Sequence, residues 1–289
     1  MPLFGRPDGT FVKRAPTLRR LMPFLMPTRN EAVVYFEQQI EVAAANALLA
    51  RLNESRPADR RVTLFQLVLF GLARTIARRP MLNRFVVGRR LYERRRIELS
   101  FAVKKELSDS GGLTTVKVPI DPHETLDAAI EHILASVGKG RGKERLPSEK
   151  EMDVVTILPR FLLRFVMKMQ GVLDYFNLLP SSMIEGDPLY ASVFLANLGS
   201  VGLDSAYHHL FEYGTTPIFA TMGRVKKAVV PGENDQPVVR DVVSLKFTLD
   251  ERIADGLYCA RGLELLKGYI EKPETLLEPE PPATSQSGA

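Results

Sequence analysis

Side chains able to move protons or attack carbonyls are sparse in this chain, and their placement narrows the chemistry. Four histidines occur: His123, His132, His208 and His209. The adjacent pair His208–His209 lies in LDSAYHHLFEYG, after the turn Gly199–Gly202 and close to Glu212. An imidazole titrates near neutrality, so a loop pair beside a carboxylate is a candidate proton acceptor. The same pair suits a hydrogen-bonding role in a turn, and both readings stay open. His132 follows Glu131 in a helical pattern and reads as a surface residue. The one cysteine, Cys259, sits mid-helix among apolar neighbours, where an inert buried thiol is expected. No histidine pairs with Cys or Glu at structural-zinc spacing, so no metal site is predicted.

These groups must be positioned by a mixture of strands and helices. Ala32–Val42 alternates with β-branched and aromatic residues and predicts a strand, and Ala43–Asn53 predicts a helix with Leu48, Leu49 and Leu52 on one face. Val62–Arg79 is apolar almost all round, which predicts a buried helix stopped by Pro80. FVVG, RLY, Arg96–Val103 and Leu113–Ile120 read as strands, and Leu126–Val137 as a short helix. Strands between two helices exclude a simple parallel doubly wound pattern. Gly138–Glu151 reads as a charged loop, and its GKGRGK does not match a phosphate-binding loop. Further strands are predicted at 190–199, 216–225 and 238–249, and a last helix at Ile253–Glu271.

Between these elements, Arg160, Arg164 and Lys168 recur every four residues on an otherwise apolar helix. Such a segment, 157–179, suits peripheral contact with an anionic membrane or a tunnel for an acyl chain. It equally suits a helix docked on the domain with its long cations reaching water.

The bulk composition is that of a globular protein: 289 residues, 45% hydrophobic and 25% charged. A single cysteine excludes an intramolecular disulfide and suits a cytoplasmic location. No secretory leader and no membrane span are expected, because no long uninterrupted apolar run occurs. The net charge is +5, and residues 271–289 carry four Glu and one Lys, which leaves +8 on the body. A basic body attracts polyanions such as coenzyme A. The densest run, Arg89, Arg90, Arg94, Arg95 and Arg96, straddles an expected hairpin and reads as a solvated face, so no nucleic-acid partner is predicted. Residues 1–20 read as a basic arm and 272–289 as a disordered acidic tail. One domain at 21–271 lies between them, with a helical insertion at about 138–187.

Several motifs share one order with a known family. DERIADGLYCARGLELLKGYIEKPETLL, from Asp250 to Leu277, resembles the C-terminal signature of the acyltransferase core of 2-oxoacid dehydrogenase complexes. That signature reads Asp-His-Arg-x-x-Asp-Gly, followed by a helix and Pro-x-x-Leu-Leu. Chloramphenicol acetyltransferases carry a related motif. FLANLGSVGLDSA resembles the family's Thr-Ile-Ser-Asn-Leu-Gly strand and turn, and TPIFATMGRVKK the strand after it. The helix ending in PMLN and the strand RIELSFAV match upstream, so the resemblance spans roughly residues 17–277.

The resemblance implies an α/β (α+β) fold of chloramphenicol acetyltransferase type, a mixed sheet flanked by helices, active as a homotrimer with sites between subunits. Coenzyme A would be a substrate, and no lipoate is expected on this chain. In the family a histidine deprotonates a thiol that attacks a thioester, and a hydroxyl of the facing subunit stabilises the oxyanion. The motif's second aspartate orients local structure through an arginine. By this resemblance Asp255, Gly256 and Arg252 match the motif, and Asn197 and Gly199 match the turn. Glu251 stands at the histidine position, and the hydroxyl positions fall on Phe194, Leu195 and Ala196, leaving Ser192 and Ser200 as the nearest substitutes. From ordinary side-chain values, proton transfer from a thiol to Glu rather than His is uphill by an extra ~3 kcal/mol. That penalty is on the order of a hundredfold in rate, and burial of the Glu narrows it.

Overall fold

A computed structural model describes residues 5–104, 112–142 and 156–278. A seven-stranded mixed sheet forms its centre. It is built from β2 (Val33–Glu41), β5 (Glu98–Lys104), β6 (Leu113–Pro119), β7 (Val193–Asn197), β8 (Ile218–Met222), β9 (Lys226–Pro231) and β10 (Pro237–Asp250). The order is β2-β10-β8-β7-β5-β6, and β9 pairs the first half of β10. β5, β7 and β8 run parallel and the other pairings are antiparallel.

Strand alternation divides this sheet into two faces. Val193 and Leu195 of β7, Ile218 and Ala220 of β8, and Leu245, Phe247 and Leu249 of β10 face the main core. That core is closed by α2 (Ala43–Asn53), α3 (Leu64–Arg78), α4 (Leu126–Arg141) and α7 (Gly256–Glu271). Most of α3 is buried, as its nearly uniform apolarity predicts, and Thr63 with Gln66 makes a capping box at its start. On the opposite face Phe194 and Ala196 gather with Phe219 and Leu210 in a separate cluster.

Residues 5–20 are not a free arm. β1 (Gly9–Phe11) pairs β4 (Arg90–Arg94), which pairs β3 (Arg84–Val87), and α1 spans Thr17–Leu25. Arg6 and Asp8 lock this corner: Arg6 donates to Asp8 at 2.8 Å and to Asp174 at 2.7 Å, and Arg94 donates to Asp8 at 3.2 Å. The expected solvated face of the arginine run is therefore divided. Arg89, Arg95 and Arg96 are exposed, whereas Arg94 is buried and also donates to Thr215. Between β3 and β4 the expected hairpin turns on Gly88 and Arg89, both with positive φ, the two-residue geometry that suits strand twist.

Two more expectations shift. Helix α4 continues to Arg141, because Gly140 lets its end close against Val116 of β6, so 138–141 is helix and not loop. The rest of that charged stretch, 143–151, lies outside the described residues. The C-terminal residues 273–276 form a 3-10 turn with Pro273 and Leu276 buried, so the tail begins packed; 279–289 lie outside the described residues. The insertion contributes α5 (Arg160–Tyr175) and the short α6 (Ser181–Gly186).

Candidate active site

Strand β10 delivers the motif. Asp250, its last residue, accepts from Arg252 through both oxygens, Nε at 2.8 Å and Nη2 at 2.7 Å. Both side chains are buried, and Arg252 also donates to the carbonyls of Met26 and Pro27. Arg252 thus serves the first aspartate of the motif. Asp255 is the N-cap of α7 instead, accepting from the Tyr258 amide at 2.8 Å. Gly256 opens that helix with free space where a side chain would begin.

Glu251 follows on the turn and is half-buried. Its amide donates to Ala32 at 2.7 Å and its carbonyl accepts from Arg19. Two of the cavities among the described residues lie elsewhere, and Glu251 lines neither. Cys259 sits one helical turn beyond, close enough to feel the charges of Asp255, Arg19 and Glu251. Burial and Asp255 push its thiol up to about 11, which agrees with the expected inert thiol.

The two histidines behave differently. His209 is exposed. His208 is half-buried, stacked on Phe219 at 3.8 Å between ring centroids with 10° between planes. Its Nδ1 lies 2.7 Å from the His209 carbonyl, which only accepts, so Nδ1 is the donor in that contact and Nε2 is left outside it. The His208 carbonyl accepts from Thr248, three residues before Glu251 on β10. Asn30 exchanges hydrogen bonds with Leu210 and binds Glu212, which pins the histidine loop beside the segment leading into β2. Glu212 therefore serves Asn30 and the Arg29 amide, and burial is outweighed by these donors in holding its carboxyl below the usual value.

The hydroxyl candidates are committed to the backbone. Ser192 is fully buried and accepts from the Glu98 amide at 3.0 Å. Ser200 donates to the Asn197 carbonyl at 2.7 Å, while the Asn197 side chain accepts from the Ser200 amide. Gly199 is required where it stands, since a Cβ there would meet the Gly223 carbonyl. At the expected hydroxyl positions, the Phe194 ring stacks on Phe219 at 4.8 Å.

Sequence reasoning missed a polar chamber of about 310 Å³ between α1, the β3–β4 turn and α5. Arg29, Asp174, Glu212 and Tyr213 line it, from positions too scattered to signal one another in sequence. The α5 stripe reads partly as expected: Arg160, Arg164 and Lys168 are exposed, but Phe161 and Phe165 beside them are 76% and 58% exposed rather than docked. Among the described residues no helix is long and apolar enough to cross a membrane.

Residues 189–278 match the sequence model of the 2-oxoacid dehydrogenase acyltransferase catalytic domain. The described residues share the fold of solved structures of a dihydrolipoamide acetyltransferase and of a chloramphenicol acetyltransferase. A probable dihydrolipoamide acetyltransferase of Listeria monocytogenes superposes with a TM-score of 0.59 at 16% identity, covering 96% of this chain and 98% of that one. A chloramphenicol acetyltransferase superposes with a TM-score of 0.56 at 12% identity, over 93% and 100% of the two chains. In sequence, 57 residues are 42% identical to the mitochondrial dihydrolipoyllysine-residue acetyltransferase component 2 of the pyruvate dehydrogenase complex of Arabidopsis thaliana. That stretch is 19% of this chain and 11% of the plant protein.

Proposed function

We propose that this protein transfers an acyl group between a coenzyme A thioester and an acceptor nucleophile, in a site shared by neighbouring protomers of a homotrimer. The observation that carries this reading is the tethered imidazole of His208: its Nδ1 bond leaves Nε2 as a proton acceptor on the loop held to β10. Nε2, or the Glu251 carboxylate at the end of the same strand, takes the acceptor's proton as the nucleophile adds to the thioester carbonyl. The tetrahedral oxyanion then collapses, the carbon–sulfur bond breaks, and the coenzyme A thiolate recovers the proton. Asp255 and Arg252 act by positioning the turn and the start of α7.

A panel of acyl-coenzyme A thioesters, assayed for hydrolysis and transfer, tests this. Turnover should fall by about tenfold or more in His208→Ala or Glu251→Ala. Equal rates in both variants and the parent would remove the reading.

A second reading is favoured by the Phe194–Phe219 stack, which takes the place of the expected hydroxyls. In it the chain is a non-catalytic trimeric scaffold or docking module. It requires no turnover even after Glu251→His, with trimers intact by native mass spectrometry.

Under either reading, the exposed face of α5 is assigned to an anionic bilayer. Phe161 and Phe165 would enter the interface while Arg160, Arg164 and Lys168 meet headgroup phosphates.

A further inference from the structure

We infer that the chamber between α1, the β3–β4 turn and α5 is a binding site for a small organic monocarboxylate with an apolar body, held by Arg29. Arg29 is 6% exposed. Its Nη1 donates to the carbonyls of Phe211 at 2.8 Å and Glu212 at 2.6 Å, and its Nη2 donates to that of Gly214. All three acceptors are neutral. Among the described residues no carboxylate lies within ion-pair distance of it, whereas the buried Arg6, Arg94 and Arg252 each have one. Burial outweighs the more distant acids Asp250, Glu212 and Asp174 and pulls the Arg29 guanidinium below its usual value, as expected for a cation short of a counter-charge.

A guanidinium has five N–H bonds. The three carbonyls leave Nε–H and one Nη2–H without a partner among the described residues. Arg252 uses these same two nitrogens to fork the Asp250 carboxylate side-on. A ligand carboxylate completes Arg29 in the same way.

The charges around the chamber set the ligand's charge. Asp174 is held by Arg6 at 2.7 Å, Arg252 is matched by Asp250, and Glu212 accepts from the amides of Arg29 and Asn30. Of the other lining cations, Arg89 is exposed and lies over Phe24, so Arg29 is the buried one without an ion pair among the described residues, and one negative charge fits it best. Pro23, Pro27, Val86, Val87 and Tyr190 add an apolar stretch of wall that suits a short hydrocarbon body. The volume of about 310 Å³ is at the small end for such sites. Because Arg252 also holds the Met26 and Pro27 carbonyls, the chamber is connected to the turn that bears Glu251. The inference itself does not rest on acyl transfer.

Calorimetric titration of the whole chain with hexanoate, acetate and hexylamine tests it without any activity assay. Hexanoate should bind saturably to a single site, acetate about tenfold or more weakly, and hexylamine not at all. Arg29→Gln should weaken hexanoate by about tenfold or more. Since Arg29 also ties down the 211–214 loop, a second variant is needed. Gly171 lines the chamber and has open space where a Cβ would start, so Gly171→Leu fills it while leaving every Arg29 bond in place. It should abolish hexanoate binding at an unchanged melting temperature. Absence of saturable hexanoate binding, parental affinity in both variants, or equal binding of hexylamine would overturn the assignment.

Discussion

Arg252 and Asp250 form a side-on ion pair, 2.8 and 2.7 Å across its two hydrogen bonds, with both side chains out of solvent. Removing one partner leaves the other as an uncompensated buried charge. Asp250→Asn should therefore cost about 3–5 kcal/mol. Asp255 only caps a helix at the surface, so Asp255→Ala should cost about 1 kcal/mol. Paired denaturant titrations measure both, and equal losses would contradict the assignment of the arginine to the first aspartate.

The Arg6–Asp8–Arg94 corner predicts acid lability. Burial alone would raise the Asp8 carboxyl, but Arg6 and Arg94 outweigh it and hold it below the usual value. A depressed carboxyl stabilises fully above its unfolded value of about 3.9 and loses that contribution as pH falls through the folded value. Asp174 runs the other way: burial holds it above the usual value despite Arg6, so it offsets part of this slope. Melting temperature should fall on acidification below about pH 4, and Asp8→Asn should flatten that limb while lowering stability at neutral pH.

Cys259, with its thiol near 11, should resist an aromatic disulfide reagent at neutral pH in the folded chain and react at once after denaturation. Rapid labelling of the native protein would contradict its burial.

The α5 face predicts co-sedimentation with vesicles containing phosphatidylserine and little with neutral vesicles, weakening as salt rises. Replacing Phe161 and Phe165 by Ser should abolish it, and Arg164→Glu should reduce it. Retention by both variants would point instead to a protein contact on this face.

The parts of the fold legible in the sequence were those written in local periodicity. The buried α3 and the strand and helix of β10 and α7 follow from neighbours in the chain, although α7 begins at Gly256 and not at the expected Ile253. β9 escaped because KKAVVP is short, and half of its residues are exposed where it pairs only the first half of β10. The N-terminal strand escaped because three residues, Gly9–Phe11, gain their order only by pairing with Phe11↔Tyr92 and its neighbours. Around the candidate site, positions came through and partners did not. The motif placed Glu251, Arg252 and Asp255 on one turn, but that Arg252 forks Asp250 while Asp255 caps the helix is set by three-dimensional packing. Nothing near Arg29 in sequence marks it, since its acceptors lie more than 180 residues away.

The bond from Arg6 to Asp174 spans 168 residues. On a ribosome adding about 5–20 residues per second, the emerging N-terminal corner waits roughly 10–30 s for its second carboxylate. Until then that end of the chain is a cation without its full complement, held only by Asp8. The closing of Arg6 onto Asp174 is thus timed by translation, and slow codons ahead of α5 would prolong the interval in which this end stays open.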